Sequence, residues 1–363
     1  MSAQSPLTYA GAGVVRGDAV LGGLLEWVGR TRAFRAGGVG EDLLPVPYYA
    51  SVLRLSEDLA LAICTDGVGI KILIAEQLGR YDTLGIDCIA MNANDLVCVG
   101  AEPVAMVDYV GVDVADAGVL EQLGRGLHEG ARQANISIPG GELAQLPEMI
   151  AGSGEGPAVD LVGACVGVLR PEELTYGQSV VPGDVVLGLP SSGIHSNGFT
   201  LARKALFERG GCALSDTVPG SSETLGEALL TPTRIYVRPI LALLRSEIEV
   251  HALCHITGEG FFNLNRVAAP VGFRLDNLPE PQPIFRLIQE RGGISDAEMH
   301  QVFNMGVGFC IILPTGSVEA AVALLREAGE APLVLGSANE GGERRIALPQ
   351  RGLIGREGEF RVA

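Results

Sequence analysis

Two stretches of this chain, ICTDGVGIK at residues 63–71 and VVLGLPSSGIHSNGF at 185–199, run from apolar residues through a glycine-bracketed polar turn into a helix start. A strand that ends in such a turn and feeds a helix is the building unit of layered α/β architecture. It also sets polar groups at the strand's end, where ligands are commonly held. Between the two stretches lies a composition break at residues 170–178, after which the pattern begins afresh. At 363 residues the chain is too long for one ordinary core. Together these features predict two domains that meet near residue 172, each an α/β or α+β layer structure.

Periodicity fills in the elements. Residues 1–50 are rich in Gly and Arg and read as a mobile arm and glycine loop with one short amphipathic helix over 20–30. Residues 51–172 read as the first domain. It begins with a strand pair turning at 56–58, followed by helices over 70–78 and 83–99 and a strand through AEPVAMVDYVGVDV. A helix over 116–134 comes next, then strands at 136–139 and 160–169 around a Gly/Pro/Glu-rich loop. Residues 173–345 read as the second domain, with helices near 198–209, 232–246, 262–268 and 318–328 and strands at 303–313 and 331–335. The remainder, 346–363, reads as a loosely attached polar tail.

The charge balance limits partners. Twenty-six basic against 43 acidic residues give a net charge of −17. Neither nucleic acid nor an anionic membrane suits such a surface. A phosphorylated substrate must then be held by local devices, namely backbone amides, a few placed cations or metal ions. No run of eighteen uncharged apolar residues predicts a membrane span, and the opening MSAQSPLTYAGAGVV lacks a signal-peptide pattern. Seven scattered cysteines with no CxxC pair read as reduced core thiols of a cytoplasmic protein. There are only two lysines, Lys71 and Lys204.

Five segments could carry chemistry. In ICTDGVGIK, amides at Gly67 and Gly69 and the helix start form an anion nest, Asp66 can hold a cation and Lys71 can meet a phosphate. A plain strand–turn–helix with a surface lysine fits the same residues. In GIDCIAMNANDL, Asp87 and Asn94 are seven apart and share a helix face, with Asp95 about 80° away. They form either a ligand-facing stripe or a helix cap plus a buried hydrogen bond. Glu142, after Gly140 and Gly141, is a metal ligand or the solvated acid of a tight turn. Ser191, Ser192, His195, Ser196 and Asn197 crowd one loop, more hydrogen-bonding groups than a helix cap needs, which suits a phosphate or sugar. A further glycine loop, HITGEGFFN, carries His255 and Thr257, whereas His251, in an apolar run, reads as a satisfied core histidine.

In this order the segments resemble the phosphoribosylformylglycinamidine cyclo-ligase (aminoimidazole ribonucleotide synthetase) family. The resemblance runs from YxxAGV at 9–14 through TDGVGxK at 65–71, GID…AM…NDL…GAEP at 85–103, DY at 108–109 and GGE at 140–142. It continues with SSGxHSNG at 191–198, PTRIYV at 232–237, HITGxGFxxNxxR at 255–266 and FNxGVG at 303–308. It implies a two-domain ATP-binding fold and a homodimer whose N-terminal strands join across the two-fold axis. It also implies ATP-dependent closure of formylglycinamidine ribonucleotide to aminoimidazole ribonucleotide, with Mg²⁺ as cofactor.

Carried over by position, Asp66, His195 and Lys71 would be catalytic. Gly67, Gly69, Lys71, Asp87, Asn94 and Gly141 would contact ATP, and Asp66, Asp95 and Glu142 would hold magnesium. Ser192, His195, Ser196, Asn197 and Thr257 would hold the ribonucleotide. The chain departs from the family pattern at Ile70, Leu143, Gln145, Glu148 and Glu259. These leave open a related ATP-dependent enzyme with another small substrate, or a nucleotide binder without turnover. The absence of cysteine from residues 1–50 disfavours the selenophosphate synthetase branch, and an ending in Phe360-Arg361-Val362-Ala363 rather than cysteine disfavours the hydrogenase-maturation branch.

Overall fold

Burial alternates strictly along VDLVGACVGVL at 159–169, the pattern of a central strand in a sheet with one covered and one more open face. A computed structural model, which describes residues 6–14, 18–154, 156–341 and 343–363, has that arrangement. Expectations for residues 1–5 and 15–17 lie outside the described residues. Helix α1 (Asp18–Arg30) is followed by strands β1 (Ser51–Arg54) and β2 (Ala60–Gly67) and helices α2 (Ile72–Leu78) and α3 (Leu84–Cys98). Then come β3 (Glu102–Val112), α4 (Ala117–Ala134), β4 (Ser137–Gln145) and β5 (Val159–Leu169). The sheet runs β1-β2-β5-β3-β4, antiparallel except for the parallel β3–β4 pair.

Odd-numbered residues of β5 are buried beneath α3, a helix with nearly every residue buried. Even-numbered ones look out onto a face where Ile63 and Val107 stay exposed. Helix α4 packs on α3 and is well terminated. The Asp116 carboxylate accepts from the Val119 amide at 2.9 Å, and Asn135 closes the far end in the left-handed region, φ 58°.

The second domain comprises β6 (Val185–Pro190), α5 (Phe199–Arg203), α6 (Leu225–Leu230), α7 (Val237–Leu244), β7 (Ala252–His255) and β8 (Val271–Leu275). It continues with α8 (Pro283–Gly292), α9 (Asp296–Val302), β9 (Val307–Leu313), α10 (Val318–Glu327) and β10 (Leu333–Glu340). The last strands are β11 (Ile346–Leu348), β12 (Leu353–Arg356) and β13 (Glu359–Val362). Its eight strands run β13-β12-β11-β8-β10-β6-β9-β7. All seven residues of β9 are buried, as an uninterrupted apolar run between two strands requires.

Several expectations are corrected here. The segment 346–363 is no loose tail: it adds three strands to the sheet, anchored by buried Ile346, Leu348, Leu353 and Phe360. Four apolar anchors among polar residues were too sparse to read as a sheet edge. The helix expected from 232 begins at Val237, because 231–236 is irregular and hydrogen-bonds elsewhere. Residues 262–268 form a short 3-10 turn, Gly260–Arg266, and the elements over 271–302 had no counterpart in the sequence reading.

The arm is tethered at both ends. The Tyr9 amide donates to Glu298 Oε1 at 2.6 Å, and the Tyr48 and Tyr49 hydroxyls donate to the Leu253 and Asn263 carbonyls at 2.6 and 3.1 Å. Between these anchors α1 exposes Val20, Leu21, Leu24, Leu25, Trp27 and Val28.

Candidate active site

The site grows from the polar stripe of α3. Asp87 and Asn94 are fully buried, and a buried polar side chain requires partners. They find them on the irregular segment 231–236 of the second domain. Asp87 Oδ1 accepts from the Thr233 amide and hydroxyl, both at 2.7 Å, and from Ser196 Oγ at 3.1 Å. Asn94 Nδ2 donates to the Arg234 carbonyl at 2.9 Å while its Oδ1 accepts from the Tyr236 amide at 2.8 Å. The stripe therefore grips a strap of the neighbouring domain.

Lys71 completes the grip. Its ammonium lies 2.9 and 2.8 Å from the two Asp87 oxygens and donates to the Thr231 carbonyl at 2.7 Å, with both side chains of the ion pair wholly buried. The ammonium's two hydrogen bonds, to Asp87 Oδ1 and to the Thr231 carbonyl, both lie in the seam, and Asp87 Oδ2 is close by as an ion-pair contact without a hydrogen bond of its own. Burial pulls its pKa below the ordinary lysine value, and the Asp87 charge opposes that pull.

A second group lies one turn further along α3. Asp95 Oδ1 is 2.8 Å from His255 Nδ1, and His255 Nε2 is 3.4 Å from Asn94 Nδ2. Asp66, at the end of β2, accepts from the Gly67 amide at 2.7 Å. Burial lifts the Asp66 carboxyl above the usual range and the Asp95 charge adds to this, while the Gly67 hydrogen bond and His255 oppose it. Gly69 turns the chain into the next helix with φ +70°, a value open to glycine. Beside Asp95 opens a cavity of about 570 Å³ lined by Tyr48, Tyr49, Ile63, Cys64, Thr65 and Ala164. The two tyrosines meet edge to face at 4.8 Å, and the Arg266 guanidinium lies 5.0 Å from the centre of the Tyr49 ring. Glu259, one of the departures from the family pattern, pairs with that same Arg266 at 3.1 Å. Its charge is thus met locally.

Glu142 does not join Asp66 and Asp95 within one chain. The registers align Asp66, Gly163, Asp108 and Gly141 in one row and Gly67, Val162, Tyr109 and Glu142 in the next. Adjacent rows face opposite sides of a sheet, and three strand spacings put Glu142 about 14 Å from Gly67. GGE is not a turn but the middle of β4. Gly141 is required there because a Cβ would lie 2.3 Å from Asp108 Oδ1. Among the described residues no cluster of three or more His, Cys, Asp or Glu side chains could by itself hold a metal. Magnesium commonly takes one or two carboxylates with substrate phosphates and water, and Asp66 and Asp95 are the carboxylates on this side of the sheet that stand nearest the glycine turn and His255. Each uses one oxygen in the hydrogen bonds above.

The second-domain loop at 191–198 lies against the strap. Ser192 Oγ donates to the Pro232 carbonyl at 2.5 Å and Ser196 Oγ is 2.9 Å from Thr233 Oγ1. Ser191 Oγ donates to Asn304 Oδ1 at 2.9 Å, and Asn304 Nδ2 returns a bond to the Gly193 carbonyl at 2.9 Å. His195 is buried with φ +62°, and its Nε2 accepts from the Ser192 amide at 3.2 Å. Its Nδ1 is buried without a hydrogen-bond partner. Burial holds its pKa well below the ordinary histidine value, with His255, Lys71 and Arg234 adding to the shift. Because Nε2 accepts the Ser192 amide, the ring's proton is carried on Nδ1. Asn197 meets only the Met91 sulfur, at 3.9 Å, and the glycine turn at Gly258, while Thr257 Oγ1 donates to Asn263 Oδ1 at 3.3 Å.

Tyr48, Tyr49, Thr233 and Asn304 thus line or brace the candidate site although they were not singled out from sequence, whereas His255 was, in HITGEGFFN. The doubled tyrosine of PVPYY and the FN of FNMGVG were the available signals. His251 is a largely buried, satisfied histidine as expected, its side chain 11% exposed and its two nitrogens 2.7 Å from Asp184 Oδ2 and 3.0 Å from Glu249 Oε1.

Comparison with known proteins agrees with this layout. Family models described as AIR synthase related protein match residues 48–169 (N-terminal domain) and 181–348 (C-terminal domain). The phosphoribosylformylglycinamidine cyclo-ligase of Methanothermobacter thermautotrophicus is 49% identical over 278 residues, 77% of this chain and 80% of that protein. The enzyme of the same name from Pyrococcus horikoshii is 46% identical over 323 residues, 88% of this chain and 92% of its own. Among solved structures, thiamine-monophosphate kinase from Stenotrophomonas maltophilia aligns with TM-score 0.60 at 20% identity, covering 89% of this chain and 95% of its own. Hydrogenase maturation protein HypE in complex with ATP aligns with TM-score 0.60 at 19% identity, covering 86% and 87%. The last two share the fold. By identity and coverage over both domains, the chain belongs to the phosphoribosylformylglycinamidine cyclo-ligase family.

Proposed function

We infer that this protein is an ATP-dependent ligase of purine biosynthesis that closes formylglycinamidine ribonucleotide to aminoimidazole ribonucleotide. The chemical need is plain, since an amide-type oxygen leaves poorly until it is phosphorylated. ATP gives its terminal phosphoryl group to the formyl oxygen, the amine attacks the activated carbon, and phosphate departs with ADP as the other product. Positioning two anions and offsetting their charge is most of the work. The observation that carries the reading is the meeting of TDGVGIK, NDL, SSGIHSNG, PTRIYV and HITGEG, drawn from both domains, along one seam.

On this reading the cavity beside Tyr48, Tyr49 and Asp95 takes the nucleotide, and the Gly67–Gly69 turn faces its phosphates. Asp66 and Asp95 hold Mg²⁺, which when bound supplies the positive charge that a chain of net charge −17 lacks. Glu142 can reach that cation only from a second copy, which agrees with a homodimer formed through the open face bearing Ile63 and Val107. His195 donates its Nδ1 proton in a hydrogen bond to the ribonucleotide, and Asn197 turns its amide to the same ligand. Gly141 allows the approach of Asp108 and does not itself touch ATP.

The test is incubation of the pure protein with ATP, Mg²⁺ and formylglycinamidine ribonucleotide. Substrate-dependent formation of ADP and aminoimidazole ribonucleotide is expected. ATP turnover only with another small acceptor, or nucleotide binding without turnover, would replace this reading with a related kinase-like or binding role.

A further inference from the structure

Lys71 is one of two lysines in the chain and opens the helical turn after an anion-binding glycine loop, where a phosphate ligand would be expected. Its surroundings assign it otherwise. A phosphate ligand needs an ammonium with a free donor and access to solvent. The Lys71 ammonium has no such access: it is wholly buried, donates to Asp87 Oδ1 and to the Thr231 carbonyl, lies 2.8 Å from Asp87 Oδ2, and has the Phe199 ring 5.9 Å away.

Each of these partners leads to the same piece of chain. Thr231 begins the strap, and Asp87 Oδ1 receives the Thr233 amide and hydroxyl. Asn94 holds the strap's next two backbone groups, so it is fixed to the first domain at four successive points. The strap's other side carries the substrate loop. Ser192 bonds to the Pro232 carbonyl, Ser196 to Thr233 and Asp87, and Tyr236 Oη donates to the Pro190 carbonyl at 2.8 Å. His195 lies between Ser192 and Ser196.

We propose that Lys71 is a positioning residue: paired with Asp87, it locks residues 231–236 onto α3 and so sets the His195 loop at its working distance from the carboxylates Asp66 and Asp95. Its contribution to the reaction is alignment of the two domains' ligands, and it touches neither of them. This rests on the cyclisation reading only for its kinetic test.

The variants are Lys71→Met, Lys71→Met with Asp87→Asn, and Thr233→Val, a milder change that removes one hydroxyl from the junction. Calorimetric titration with Mg·ADP reads the nucleotide site, and steady-state kinetics separates the KM for ATP from that for the ribonucleotide. Amide hydrogen exchange reads the loop without need of turnover. The proposal expects Mg·ADP affinity and the KM for ATP within about twofold of wild type. It expects a fall in kcat of up to about 10²-fold, the scale of an ångström of misplacement, with a raised ribonucleotide KM. Amides of 191–198 and 231–236 should exchange faster while those of 84–98 keep their protection.

The double variant, which removes both charges together, should be less impaired than Lys71→Met, whose Asp87 is left buried and unpaired. Thr233→Val should give the same split on a smaller scale, and stands in if Lys71→Met does not fold. Tenfold weaker Mg·ADP binding in Lys71→Met, with the ribonucleotide KM unchanged, would mean a phosphate ligand and overturn the proposal. Unaltered exchange at 191–198 would overturn it too. Wild-type protein without cyclisation activity would defeat the functional reading while leaving the exchange and ADP-binding results to decide this one.

Discussion

Gly308 backs directly onto the two aromatic side chains that shape the second-domain half of the site. A Cβ at this position would lie 2.1 Å from Tyr236 Oη, 3.0 Å from Tyr236 Cζ and 2.6 Å from His195 Cε1. Both neighbours are buried, so neither can swing into solvent. For Gly308→Ala the tyrosine must retreat and give up its 2.8 Å hydrogen bond to the Pro190 carbonyl. Overpacking of this kind costs about 1–3 kcal/mol and a lost internal hydrogen bond about 1 kcal/mol, so roughly 3 kcal/mol is expected in all. At about 2–4 °C per kcal/mol for a domain of this size, the second domain should melt roughly 6–12 °C lower in scanning calorimetry.

The mechanism of the loss is testable by relief. Tyr236→Phe removes the atom at 2.1 Å, so the double variant should lose less than the sum of the two single losses. Displacement of the His195 ring should also depress kcat in Gly308→Ala beyond what its stability explains at 25 °C. A Gly308→Ala protein that melts with wild type, or strict additivity in the double variant, would refute the packing argument.

Three further outcomes are expected. Asp66→Ala should abolish turnover while leaving the melting temperature close to wild type, and near-wild-type phosphate release would count against its catalytic role. His251 should make stability pH-dependent: burial lowers its affinity for protons, but hydrogen bonds to Asp184 and Glu249 more than offset this and raise its pKa. The protonated ring therefore stabilises the fold fully below its ordinary value of about 6.5, and the benefit fades as pH rises through the higher folded value. His251→Gln should flatten the denaturant midpoint across that window, and an unchanged pH profile would exclude the ring as its source. Trp27, the chain's single tryptophan, is 68% exposed on α1 in one copy. If dimerisation covers α1, its fluorescence should shift to the red on dilution with the same midpoint as the sedimentation-measured dimer dissociation; constant emission through that transition would leave α1 outside the interface.

Much of this was legible in the linear chain. The apolar run at 160–169 reads as a strand from residue type alone, although which of its faces is covered shows only in the fold. The spacing of seven between Asp87 and Asn94 places both on one side of α3, and the glycine turns mark where strands hand over to helices. These are local properties, set by backbone geometry within a few residues. GGELAQ escaped because its glycines spell a turn locally, and only pairing with β3 holds it extended as an edge strand. The strap 231–236 escaped for a similar reason: PTRIYV has no period of its own, and its irregular path is held by hydrogen bonds from α3.

Sequence alone therefore determined the two-domain plan, the family and the list of polar residues that matter, since each depends on residue type and short spacing. Tertiary structure decided what those residues face. Lys71 and Asp87 are sixteen positions apart and meet Thr233 of the other domain, so their use as a buried lock depends on how the domains dock. Glu142 and Asp66 share a sheet but look away from each other, because strand register, which no single strand encodes, sets the face each presents.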